Sequence, residues 1–135
     1  MNRKKAREYA FILLFEYKFQ PDEIKNIMDD FVRDFAPGEQ QAYIEKVVMG
    51  TIENLESIDE KIGTLSEGWK TERISNVSLS ILRLATYEIE FCDDIPTVVS
   101  INEAVSLAKK YEGEEAAPFV NGILGKMSGK TGAKK

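Results

Sequence analysis

Apolar residues recur three and four positions apart along almost the whole chain, and no stretch alternates convincingly as a half-buried strand would. This period puts apolar side chains on one face of successive helices, so the spacing predicts an all-α fold. In the first segment Ala6, Ala10, Leu13, Leu14 and Tyr17 share a stripe, and Pro21 ends it. Asp22 leads into a second helix with Ile24, Ile27, Met28, Phe31 and Phe35 inward. "APGE" at 36–39 is a break, and a third helix is expected from about Glu39 to Leu55, with Tyr43, Val47 and Ile52 among its apolar positions. Ser57 and Glu60 have capping-box spacing and predict a new helix there, carrying Ile58, Ile62 and Leu65.

The least regular stretch is "SEGWKTERISN", at 66–76, where a boundary between halves is expected. Asn76 is placed to cap "VSLSILRLATYEIEF", with Leu82, Ala85 and Ile89 on its face. Pro96 suits the first turn of another helix, which holds Val98, Ile101, Ala104, Val105 and Ala108 and stops at Gly113. Pro118 likewise opens a last helix to about Met127. About seven helices in 135 residues read as one domain, a bundle or paired bundles. The small, Gly-rich "SGKTGAKK" at 128–135 reads as a flexible basic tail.

Catalytic chemistry lacks its parts. The chain has no histidine, which removes the commonest general base and the commonest metal ligand. It has no P-loop and no G-x-G-x-x-G. The one cysteine, Cys92, cannot form an internal disulfide, and Asp93 and Asp94 beside it disfavour a thiolate. Carboxylate pairs such as Asp29/Asp30 and Glu114/Glu115 read as solvated helix surface. No cofactor is expected. The apolar run "AFILLF" is too short for a membrane span or a signal peptide, so a cytoplasmic protein with no membrane partner is expected.

Net charge is −5, unevenly placed. Eight of the 18 bases lie in residues 1–7 and 126–135, which hold no acid, so the remainder carries ten bases against all 23 acids. An acidic body is no generic nucleic-acid binder, but basic ends can grip a polyanion locally. "RKKAR" opens the first helix, where the helix dipole disfavours cations, so Arg3, Lys4, Lys5 and Arg7 are not there for helix stability. The last helix, "FVNGILGKM", divides into two stripes. Val120, Ile123, Leu124 and Met127 belong to the core, while Phe119, Gly122 and Lys126 lie on an adjacent face. An aromatic ring, a bare backbone patch and a cation suit single-stranded RNA. The alternative is that Gly122 permits close helix packing and Phe119 is ordinary core.

"AREYAFILLFEY" (Ala6 to Tyr17), Trp69 with Arg73, "ILRLATYEI" (Ile81 to Ile89), "IPTVVSINEAVSLAKKY" (Ile95 to Tyr111) and "FVNGIL" (Phe119 to Leu124) together resemble the NusB family of bacterial transcription antitermination factors. The resemblance covers essentially the whole chain, and the INEAV and FVNG strings in this order are its most specific part. The same helical module also occurs ahead of rRNA cytosine methyltransferases, but this chain ends soon after FVNGIL, so no catalytic domain is expected.

The resemblance implies two small three-helix-type bundles, at about 1–66 and 75–128. It implies binding of boxA in nascent rRNA-operon RNA together with NusE, a small-subunit ribosomal protein. Other Nus factors and RNA polymerase would be engaged indirectly. The RNA face would comprise Arg3, Lys4, Lys5, Arg7, Phe119, Gly122 and Lys126, with the acid Glu115 bordering it. Tyr87 and Glu88 would meet the protein partner. Some relatives form homodimers that hide the RNA face, so a homodimer remains open, as does a helical adaptor or ribosome-assembly role without direct RNA binding. Lysines stand at Lys4 and Lys5 where the family often has arginine, and lysine lacks the bidentate fork. Phe15 stands where some members have tyrosine.

Overall fold

A computed structural model describes residues 1–66 and 71–131, so Trp69 lies outside the described residues. Helix α1 (Arg3–Phe19) starts where the Asn2 side chain accepts a hydrogen bond from the Lys5 amide at 2.8 Å. It ends at Gln20, just before Pro21, whose ring cannot continue the ladder. A single 3-10 turn leads into α2 (Ile24–Phe35), which closes on Ala36 in the left-handed region at φ 44°. A second such turn precedes α3 (Gln41–Glu53), and Asn54 alone separates it from α4 (Leu55–Leu65). After a further turn at Thr71–Arg73 come α5 (Asn76–Phe91), α6 (Thr97–Tyr111) and α7 (Ala117–Thr131). The described residues hold seven α-helices and no strand, as the apolar period requires.

α5 packs against α1, α3, α4, α6 and α7. It is buried without a break from Ser78 to Ile89, so it is less an amphipathic helix than the axis of the molecule. Leu79, Ile81, Leu82 and Ile89 form the middle of the core, and Ile44, Val47, Val48, Ile58, Ile62, Leu124 and Met127 close around them. α7 leans on α6 and α5, and α1 on α5 and α3.

Several local expectations need correction. The cap of α5 is Ser75, not Asn76: its Oγ accepts from the Ser78 amide at 3.1 Å. Ser57 lies inside α4, where its hydroxyl donates to the Asn54 carbonyl at 3.1 Å, so it caps nothing. Pro96 is the cap before α6 rather than its first residue. Phe35 is 52% exposed and Val98 61%, although both share the helical spacing of core residues. Phe35 sits in the last turn of α2 and stacks on Phe31 at 5.2 Å instead of entering the core. α7 runs four residues past Met127, so 128–131, expected in a flexible tail, are helical, because a helix anchored by Val120, Ile123, Leu124 and Met127 propagates at little cost; the rest of that tail, 132–135, lies outside the described residues.

Candidate nucleic-acid interface

The four bases that open α1 have four different fates. Arg3 is exposed. Its Nε donates to Gln40 Oε1 at 2.7 Å, and its guanidinium lies 4.0 Å from the centre of the Tyr43 ring. Lys4, with 66% of its side chain exposed, pairs with Glu103 on α6 at 3.1 Å. Lys5 pairs with Glu8 at 3.3 Å and lies 5.5 Å above the Tyr9 ring.

Arg7 turns inward: its side chain is 6% exposed, and its Nε donates to Glu88 at 2.9 Å. The expectation that Arg7 lies on an RNA face is therefore corrected. The i, i+4 spacing put Arg3 and Arg7 on one stripe, but after one turn that stripe enters the packing of α1 on α5 and α3 and continues as the buried Phe11.

Glu88 is the centre of a buried network. Besides Arg7 it accepts from the Tyr43 hydroxyl, and from Ser100 Oγ at 2.8 Å. Burial first, then the charge of Glu88, pushes the Tyr43 hydroxyl well above its usual range, so it stays a donor. With its side chain 1% exposed, Glu88 offers a protein partner no surface. Tyr87 is also buried. It stacks on Phe91 at 5.0 Å and lies against Gly50, where an added Cβ would come within 2.3 Å of the ring. Tyr87 and Glu88 are thus framework residues rather than partner contacts, and their α5 positions explain it.

On α7 the expected outer stripe is divided, because Phe119 packs partly on the core while Gly122 and Lys126 stay exposed. Val120, Ile123, Leu124 and Met127 are buried, Phe119 is half-buried against the core, and Gly122 and Lys126 are exposed. A Cβ built on Gly122 meets nothing within 4 Å, so the glycine serves no close helix packing. It leaves open backbone beside the Phe119 ring, one turn from Lys126. Asn121 is exposed as well, and Glu115 is exposed in the turn that leads into α7.

α6 joins the two groups. Its side chains reach α1 through Glu103, Lys110 and Tyr111, and its backbone packs along α7. Glu8 accepts from Lys110 at 2.6 Å and from the Tyr111 hydroxyl, and Tyr111 sets its ring edge-on to Phe11 at 5.0 Å. Burial alone would raise the Glu8 carboxyl, but the hydrogen bonds from Lys110, Tyr111 and Lys5 outweigh it and hold the group down at about 2. The bond to Glu8, and then burial, push the Tyr111 hydroxyl up to about 12.

Sequence reasoning missed Gln40, Tyr43, Glu103 and Lys110. Glu103 and Lys110 meet α1 across separations of 99 and 102 residues, which no local pattern reveals. Only the paired lysines of "LAKK", Lys109 and Lys110, gave a signal. The described residues hold no cluster of three metal-ligating side chains, and no helix long and apolar enough to cross a membrane.

Comparison with known proteins bears on this surface. The NusB family model matches residues 4–129. The transcription antitermination protein NusB of Clostridium botulinum (strain Kyoto / Type A2) is 43% identical over 143 residues, covering 94% of this chain and 99% of that one. A structure of T. maritima NusB superposes with a TM-score of 0.89 at 36% identity, covering 96% of this chain and 92% of that one. A crystal structure of antitermination factors NusB and NusE in complex with dsRNA contains a chain that superposes with a TM-score of 0.85 at 26% identity, covering 95% of this chain and 96% of that one.

Proposed function

The chain belongs to the NusB family, and from that membership we propose that it is a non-catalytic RNA-binding antitermination factor that grips boxA of nascent rRNA-operon RNA jointly with NusE. The RNA would lie across α6, between Arg3, Lys4 and Lys5 on α1 and Phe119, Gly122 and Lys126 on α7, with Glu115 at its border. The observation that carries this reading is the open backbone of Gly122 beside Phe119 and one turn from Lys126. A flat base can stack there while the lysine meets a phosphate. That a NusB relative of the same fold occurs in a complex with NusE and RNA supports it.

The same geometry argues for weak binding by this chain alone. Lys4 and Lys5 already face carboxylates, Arg7 is buried, and the body is acidic. With about three phosphate contacts, the logarithm of affinity should fall with the logarithm of salt at a slope of about −2. A basic partner that completes the site would steepen this slope.

A gel-shift titration of boxA RNA, with and without NusE at one fixed salt concentration, tests the proposal. Clearly tighter binding with NusE is expected. Equal affinity in the two arms removes the joint site, and NusE binding with no RNA binding in either arm leaves a protein-only adaptor.

A further inference from the structure

Among the exposed bases of α1, Lys4 and Lys5 each face a carboxylate, which a phosphate must displace. Arg3 faces none among the described residues. Its two fixed partners are neutral: the Gln40 side-chain amide takes its Nε proton, and the Tyr43 ring lies under its plane. An amide oxygen and a ring face hold a guanidinium in place without cancelling its charge. With Nε occupied, the two Nη groups are left as the donor edge for an incoming anion.

The seat is itself fixed. The Tyr43 hydroxyl donates to Glu88, and Glu88 is held by Arg7 at 2.9 Å and Ser100 at 2.8 Å. All four side chains are buried. The inner end of Tyr43 is therefore pinned to α1, α5 and α6, while its face carries Arg3.

Resting on the RNA-binding reading above, we propose that Tyr43 and Gln40 are positioning residues that set Arg3 as a preformed phosphate fork, with Glu88 fixing Tyr43 from beneath. An unseated arginine loses its rotamer freedom when it grips a phosphate. A seated one has lost it on folding, so binding keeps more of the contact. Arg3 is the one exposed arginine in a cluster otherwise made of lysines, so this seat is where bidentate recognition is concentrated.

The test is a set of boxA titrations with NusE present, repeated at several salt concentrations from about 0.05 to 0.2 M, using the unaltered chain, Arg3→Ala, Tyr43→Leu, Gln40→Ala and the double variant Arg3→Ala/Tyr43→Leu. Arg3→Ala should weaken binding about tenfold and make the salt slope shallower by about 0.7. Tyr43→Leu and Gln40→Ala should each weaken it about two- to fivefold with the slope unchanged, because the charge remains but is no longer held. In the Arg3→Ala background, Tyr43→Leu should cost nothing further. Gln40 is half-exposed, so its removal spares the core if Tyr43→Leu lowers the melting temperature.

Equal losses from Tyr43→Leu with and without Arg3, or full affinity in both Tyr43→Leu and Gln40→Ala, overturn the seat while leaving RNA binding intact. Failure of the unaltered chain to bind boxA with NusE overturns the RNA-binding reading itself.

Discussion

Two helical glycines, Gly50 on α3 and Gly122 on α7, show how much a single methyl group decides. A Cβ at Gly50 would come within 2.3 Å of the Tyr87 ring, whereas one at Gly122 meets nothing within 4 Å. Gly50→Ala should therefore destabilise the fold by about 1–3 kcal/mol, since Tyr87 is packed between α3 and Phe91 and has little room to yield. Gly122→Ala should stabilise it by about 1 kcal/mol through helix propensity alone. Urea denaturation measures both, and opposite signs are the expected result. Glu8 supplies a pH dependence at the same scale. Its folded-state carboxyl is held at about 2, below the ordinary 4.5, so its contribution is fully present above pH 4.5 and drains away as pH falls towards 2. Urea midpoints at pH 7 and pH 3 should differ less in Glu8→Gln than in the unaltered chain.

Helices were the most legible feature of the sequence, and their partners the least. Pro21, Pro118 and the three-to-four spacing mark where α1, α5 and α7 lie to within a few residues, although the caps expected at Ser57 and Asn76 are not the ones used. Periodicity could not tell that α5 is buried all round, because Ser78, Ser80, Arg83, Thr86 and Glu88 make its other face look polar. Arg83 and Glu88 are reconciled with burial by contacts far away in sequence and Thr86 by a bond within its own helix, whereas the buried Ser80 hydroxyl has no hydrogen-bond partner among the described residues. Arg83 forks onto Asp59 with two bonds of 2.8 Å, and Thr86 Oγ1 returns to the Leu82 carbonyl at 2.6 Å. The Glu88 network joins Arg7 of α1, Tyr43 of α3 and Ser100 of α6 to α5. Glu88→Ala strands a buried guanidinium and should cost about 3–5 kcal/mol in chemical denaturation. A cost within experimental error of zero would mean that Glu103, already 4.0 Å from the Arg7 guanidinium, or water compensates the charge.

For the molecule as a whole, charge and packing divide the work. The acidic body carries the core and the buried pairs, while exposed bases open α1 and an open backbone patch lies on α7, two helices that both touch α6. The exposure of Gly122 and Lys126 was readable because helix geometry separates them from the core positions, whereas the half-burial of Phe119 against the core was not. The seat of Arg3 was not, because Tyr43 reads as an ordinary apolar position of α3 until its ring is seen beneath a guanidinium 40 residues away in sequence. Burial of Arg7 likewise depends on an acid on another helix. Backbone amide shifts of the chain in its complex with NusE, followed as boxA RNA is added, test the proposed surface most directly. Perturbations should concentrate at Arg3–Lys5, at 103–111 of α6 and at 115–126. Perturbations confined to α2 and α3, with those segments silent, would contradict it.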